Sequence, residues 1–445
     1  MSEATADKDR MCQDRRMPDR LSAADAALLA LEDPATPRHV GSVAVFRRPR
    51  SGFDYPGLLA LVERRLPLAP HYRQRVAAVP GRLARPVWVD DPDFDVTHHV
   101  RRSALPRPGG DEQLFDLVAR LMARPLDRSR PLWEAYLVEG LAGGRVALVT
   151  KSHQALVDGV RTVDFATVLL DGTPGAVEEP DEPWTPRTPP GAVRLLTDAV
   201  TDTLRSPAEL VENARATVTD VVAAGARVAD ALGLRPSGPL RASGGRARRF
   251  AVARARLGDL RDIRAAHGGT VNDVVLAVVA GALRGWLRTR GEPLTAVRAL
   301  VPVAVSDTPS ADARLVDLPV AEPDPLARLR RVSAAMRGHG GVPAAVLRGM
   351  GGLHSLGART AAWGRGAGLV VTNVPGPQAP LYAGRARMTE VFPVMPLARG
   401  HALAVGVTSY DGGVYFGLTA DRASVSDVDV LAGELGESVA ELVKA

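Results

Sequence analysis

The chain has 445 residues, a formal net charge of +6 and a sequence pI of about 9.9. That length exceeds one ordinary hydrophobic core, so two domains or subdomains are expected, and 46% hydrophobic residues suffice for globular folding. The single cysteine, Cys12, excludes a disulfide framework and a thiolate metal site. With aromatics at 4% and no helix-turn-helix, finger or RNP-like pattern, nucleic acid is not an expected partner.

No apolar run is long enough to span a bilayer and no signal-peptide pattern opens the sequence, so a cytoplasmic protein is expected. Residues 1–20 are polar and charged and are expected to be disordered. Lysine occurs only as Lys8, Lys151 and Lys444, so nearly all positive charge is arginine. A genome rich in G and C explains this without function; attraction of phosphates or anionic lipid headgroups is the functional alternative.

In chain order, Leu21–Leu29 starts a helix with Ser22 as N-cap, and Val40–Phe46 alternates as a strand. Residues 57–66 read as a helix, and 86–89 and 94–96 as short strands. His98-His99 on a strand would point to opposite faces, which makes them surface residues rather than a metal pair. Leu114–Met122 is an amphipathic helix. The proline-broken turn Pro131-Leu132-Trp133 then places a tryptophan to pack beneath a neighbouring strand. Ala135–Val138 is a strand that turns at Gly143-Gly144 into Val146–Val149, a buried strand ending on Lys151-Ser152-His153-Gln154-Ala155-Leu156-Val157-Asp158-Gly159.

Asp171–Pro190 has the proline and acidic content of a linker, and 192–232 reads as long helical material interrupted near Pro207. After a Gly/Arg-rich stretch to Arg249, a helix spans Leu257–Ala266. Another begins at Thr270, with Asn272 and Asp273 in its first turn, where capping is the simpler role. Ala299–Val305 is a buried strand, Ser306–Leu315 is short and irregular, and Leu369–Val374 runs into a Pro-Gly turn. Ser409–Leu418 forms a hairpin on Asp411-Gly412-Gly413, and 426–443 is a closing amphipathic helix.

His153-Gln154-Ala155-Leu156-Val157-Asp158-Gly159 resembles the His-His-x-x-x-Asp-Gly signature of the bacterial wax ester synthase/diacylglycerol acyltransferases, within the CoA-dependent acyltransferases. The resemblance extends in order from Leu21 to the C-terminus, through His39-Val40-Gly41, Pro131-Leu132-Trp133, Asn272-Asp273 and Asn373-Val374-Pro375-Gly376. It implies an α/β fold of two chloramphenicol-acetyltransferase-like subdomains, each a mixed sheet with flanking helices. The N-terminal subdomain would occupy 21–175, a linker and helical crossover 176–248, and the C-terminal subdomain 249–445. The reaction channel would run between them, bordered by Pro131, Leu132, Trp133, Asn272, Asp273 and Arg161.

In the family the second histidine of the motif is the general base, and that place holds Gln154, whose amide does not titrate. The resemblance further implies a structural first histidine, here His153, a structural Asp158, and Gly159 for a close turn. Arg161 stands where the family mostly carries a small residue. The implied activity joins acyl-CoA, as substrate and without a cofactor, to diacylglycerol or a long-chain alcohol, giving triacylglycerol or wax ester. Two alternatives remain at this stage. One is a catalytically impaired relative that binds acyl-CoA or lipid; the other is a peripheral protein of the inner membrane or lipid droplet, held there by its arginines.

Overall fold

The computed structural model describes residues 19–49, 53–157, 168–175, 184–205, 240–303, 312–337 and 368–445. In its first half, strands β1 (His39–Arg47), β2 (Gln74–Ala77), β3 (Val87–Asp90), β4 (Val100–Ala104), β5 (Trp133–Leu141) and β6 (Arg145–His153) alternate with helices α1 (Ala23–Leu31), α2 (Tyr55–Arg65) and α3 (Asp111–Ala123). Ser22 caps α1 as its position suggests, accepting from Asp25 N at 3.1 Å. The β5–β6 hairpin turns through Gly143 and Gly144, both at positive φ, where a side chain would be strained.

The second half contributes α4 (Ala192–Arg205), β7 (Arg248–Arg256), α5 (Leu257–His267), α6 (Val271–Thr289), β8 (Val297–Val303), β9 (Asp312–Leu318) and α7 (Pro325–Arg337). It continues with β10 (Leu369–Pro375), β11 (Tyr382–Ala383), β12 (Ala386–Val394), β13 (Leu403–Tyr410), β14 (Gly413–Asp421) and α8 (Val428–Lys444). Two six-stranded mixed sheets result, ordered β11-β12-β1-β6-β5-β4 and β7-β14-β13-β10-β8-β9. The β13–β14 hairpin turns at Asp411 (φ 45°) and Gly412 (φ 80°), the left-handed pair expected of Asp-Gly.

The division at residue 249 is therefore crossed by the sheets. β11 and β12 belong to the first sheet, where β12 lies antiparallel to β1 from Gly41↔Val394 to Arg47↔Arg387. Strand pairing is non-local, and an alternating segment does not say which sheet it joins. The two halves share a core at this crossing. Phe115 of α3 meets Phe250 of β7 and Phe392 of β12 edge-on, at 5.7 and 5.5 Å between centroids, and Phe392 meets Tyr415 of β14 at 5.4 Å.

Part of the expected linker is docked. Trp184 packs edge-on against Phe94, Arg187 pairs with Asp90 at 3.2 Å, and Leu195 of α4 is buried on Val87 and Val89. At the other end, residues 19–20 of the expected disordered segment are tied to β3, where Trp88 N donates to Asp19 O at 2.8 Å. Residues 1–18, the 206–239 portion of the expected crossover and residues 304–311 lie outside the described residues.

Candidate active site

The motif ends a strand at the centre of the first sheet. β6 pairs with β1 along its whole length, placing His153 opposite His39 and Lys151 opposite Gly41. Two backbone bonds hold the exit of β6. His153 N donates to Leu132 O at 2.9 Å, and Gln154 N donates to Arg38 O at 2.8 Å. Leu132 of the Pro-Leu-Trp turn thus fixes the motif through its main chain. Gln154–Val157 forms a single helical turn, and Asp158, Gly159 and Arg161 lie outside the described residues.

Beneath this turn sits a largely buried carboxylate that sequence reasoning missed. Glu32 Oε1 is 3.3 Å from His39 Nε2 and Oε2 is 3.6 Å from His153 Nε2. Arg128 pairs with Oε2 and also donates to Leu29 O at 2.9 Å, while Arg38 N donates to Oε1 at 3.0 Å. Burial pushes the Glu32 carboxyl up, but His153, His39 and Arg128 overcome it and hold the group well below the usual carboxylate range. Burial lowers both histidines, so the arrangement is an ionised Glu32 between neutral imidazoles, with Arg128 as its counter-charge.

The His153 ring is buried within this cluster. Its Nδ1 accepts from Ala155 N at 3.0 Å, so the neutral ring carries its proton on Nε2, directed at Glu32. Neither nitrogen is available to take a proton from a substrate. Gln154 is buried as well, and its Oε1 accepts no hydrogen bond among the described residues. A buried, unsatisfied amide oxygen costs on the order of 1–3 kcal/mol unless a ligand supplies the missing donor.

The other predicted residues divide in two. Trp133 is a packing residue, with Nε1 donating to Tyr72 O at 2.7 Å and its ring stacked on His99 at 4.8 Å. His99 corrects the surface reading of the histidine pair. Val96–His99 is a helical turn rather than a strand, and His99 is buried between Phe94 and Trp133 with Nδ1 on Trp133 O at 2.9 Å. Lys151, on the same face of β6 as His153, is fully buried; it donates to Arg124 O at 2.7 Å and lies 3.4 Å from Glu134. Asn272 and Asp273 lie in the first turn of α6, in the second subdomain. Thr270 and Asp273 form a capping box on α6, and Asn272 Oδ1 accepts from Asn373 of β10 at 3.2 Å.

The wax ester synthase/diacylglycerol acyltransferase catalytic domain matches residues 21–275, and the C-terminal domain of the same enzymes matches 312–443. A probable diacylglycerol O-acyltransferase of Mycobacterium tuberculosis, tgs1, is 34% identical over 95% of both chains. The chain belongs to the wax ester synthase/diacylglycerol acyltransferase family. A second Mycobacterium tuberculosis relative, the probable diacylglycerol O-acyltransferase tgs3, is 51% identical over 260 residues, which are 56% of this chain and 96% of that one. The wax ester synthase/diacylglycerol acyltransferase of Marinobacter aquaeolei VT8 superposes with a TM-score of 0.68 at 28% identity, covering 95% of this chain and 98% of that structure. A condensation domain of the calcium-dependent antibiotic synthetase, at 16% identity and a TM-score of 0.55, shares the fold. The two mixed sheets are thus the pair of chloramphenicol-acetyltransferase-like subdomains that the resemblance implied.

Sequence held faint signals for what was missed. Glu32 directly follows the last residue of α1, an end where the helix dipole disfavours a carboxylate, so another partner must hold it there. Lys151 is one of only three lysines in a chain that otherwise uses arginine. Arg38 and Arg128 carried no such mark.

Proposed function

We propose that this wax ester synthase/diacylglycerol acyltransferase relative transfers the acyl group of acyl-CoA to the hydroxyl of diacylglycerol or a long-chain alcohol. The observation that carries this reading is the end-to-end match, at 34% identity over 95% of both chains, to a relative bearing the name of that activity. The intact clamp on the motif, with Leu132 and Arg38 fixing the exit of β6, supports it. A transfer without a histidine base balances as follows. The hydroxyl oxygen attacks the thioester carbonyl carbon, the C–S bond breaks, and the hydroxyl proton passes to the departing CoA sulfur, directly or through water. Gln154 Oε1 accepts a hydrogen bond from the hydroxyl and orients it; positioning of this kind carries a large part of many rate enhancements. Because the acceptors are apolar, peripheral attachment at the inner membrane or a lipid droplet belongs to the same proposal. No single helix among the described residues is long and apolar enough to cross a membrane.

The same geometry favours a second reading, a relative that binds acyl-CoA or lipid with little turnover, because His153 Nδ1 already accepts from Ala155 N and Gln154 does not titrate. A CoA-release assay with long-chain acyl-CoA and diacylglycerol or fatty alcohol, on the wild-type chain and Gln154→His, separates the two. Restoring a base is worth about 10²–10⁴-fold. The acyltransferase reading expects measurable ester from the wild type and a rise of that order in the variant. A silent wild type with an active variant establishes the impaired relative. Silence from both sinks the acyltransferase reading.

A further inference from the structure

One loop supplies two of the contacts that hold the motif turn and its cluster. It leaves α3 at the C-cap Arg124 and enters β5 at Trp133 and Glu134. Along it, Arg128 pairs with Glu32, and Leu132 O accepts from His153 N at 2.9 Å. Little in the loop itself accounts for its fixed course. Over residues 124–130 Leu126 alone is buried, and Asp127 binds its own neighbours Ser129 and Arg130. A segment with so few buried apolar contacts opens locally at low cost unless something else anchors it.

Lys151 anchors both ends. Its Nζ donates to Arg124 O at 2.7 Å and lies 3.4 Å from the Glu134 carboxylate, and its side chain has no exposed surface. Glu134 is its direct cross-strand partner between β5 and β6. Arg124 O is at the end of α3, where helix carbonyls are left unpaired and the helix dipole favours a cation. Burial pushes the Glu134 carboxyl up, but Lys151, Tyr136 and Arg101 overcome it and hold it below the usual carboxylate range, so the contact is an ion pair. On the other flank Gly41 stands opposite Lys151, and a Cβ there would lie 3.3 Å from Met122 Cε. In so packed an interior a compact ammonium fits where a planar guanidinium needs more room. Taking an ammonium and a carboxylate out of water is less favourable than burying an apolar pair of the same size, so folding alone does not account for them.

We infer that Lys151 is the positioning residue of the motif turn: two residues before His153, it fastens both ends of the loop that brings Leu132 and Arg128 to the motif. Fully buried, it acts through that loop. The consequence for ester formation rests on the acyltransferase reading; the mechanical consequence does not.

The test compares wild type, Lys151→Met and the double variant Lys151→Met/Glu134→Gln in the full chain, with kinetics read in the presence and absence of Gln154→His. Methionine fills the volume of the lysine stem without its charge. The single variant leaves Glu134 without its buried partner and is expected to melt below wild type. The double variant removes both charges and is expected to recover the melting temperature. The loop should not recover with it. Hydrogen exchange at the His153 amide should be about tenfold faster than in wild type, the scale of one weakened hydrogen bond, with amides in the middle of β6 unchanged. In the double variant kcat for ester formation should fall by about 10–10²-fold while KM for acyl-CoA holds, the mark of a misplaced group that does not bind substrate. A double variant that exchanges and turns over like wild type overturns the proposal. So does a double variant that melts as low as the single one, or a loss of kcat that simply follows melting temperature through both. A KM that rises while kcat holds would make Lys151 part of a binding surface and overturn it too. Fast exchange at His153 in a chain that makes no ester even with Gln154→His would remove the acyltransferase reading and leave the anchoring by Lys151 standing.

Discussion

His99 and Glu32 show how burial reverses what a residue type suggests. An adjacent histidine pair reads as surface, yet a single helical turn puts His99 between Phe94 and Trp133 with its Nδ1 on a carbonyl. Burial, the largest effect, depresses its pKa from 6.5 to about 4 against the pull of the Trp133 carbonyl. Across that window the unfolded chain holds a proton that the folded one refuses, so stability is greatest above pH 6.5 and declines toward pH 4. At roughly 1.4 kcal/mol per unit the loss approaches about 3 kcal/mol. His99→Phe keeps the stack and gives up one hydrogen bond, a pH-independent cost of about 1 kcal/mol. Urea unfolding at pH 7 and pH 4 should show the variant losing about 3 kcal/mol less than wild type between the two. Parallel losses would mean that the fold does not withhold a proton from His99. At this scale the motif itself was legible, because its chemistry lies in consecutive residues. The partners of His153 were not: Glu32 and Arg128 reach it from the chain far upstream and from another loop.

Helix ends and hairpin turns were readable where the signal is local. Ser22, Thr270 with Asp273, and Asp411-Gly412 stand where caps and left-handed turns require them. β4, β7 and β12 gave no comparable signal. β7 is arginine-rich and residues 250–256 suggested no element, although Arg254 pairs with Glu390 and Asp111 across the subdomain junction. A glycine pair admits β12 at this junction. Gly406 and Gly417 are opposite each other on β13 and β14, and both face Pro393. A Cβ on Gly417 would lie 1.9 Å from Pro393 O and 3.1 Å from the Phe250 ring. Backbone cannot yield as a side-chain tip can, so Gly417→Ala should cost about 3 kcal/mol, the upper end for overpacking. Gly433→Ala, on an exposed turn of α8 with open space around it, is the matched control and should gain about 0.5–1 kcal/mol from helix propensity. Denaturant midpoints at constant m-value measure both. Equal effects would show that β12 is not seated against the glycine pair.

At the scale of the molecule, the two-subdomain plan was legible from length and from the order of landmarks, but the division between subdomains was not. The first sheet is completed by β11 and β12, which come after most of the second sheet in sequence. β1, which carries His39 and lies beside the motif strand, would be an open edge without them. An exposed, apolar edge is a template for aggregation. Val43, Ala44, Val45 and Phe46 of β1 are buried in the whole chain, and Phe392 and Val394 of β12 belong to the same core. A fragment of residues 1–248 should therefore be insoluble or lack cooperative unfolding, and 249–445, with β12 unpaired, should fare no better. Co-expressed, the two fragments should recover a soluble complex that unfolds in one transition, because the aromatic junction of Phe115, Phe250, Phe392 and Tyr415 ties both cores together. Size-exclusion chromatography and urea unfolding of each fragment and of the pair read this directly. A soluble 1–248 fragment with its own sharp transition would show that β12 adds only an edge to a sheet already complete, and that the Glu32–His153 cluster folds without the second half.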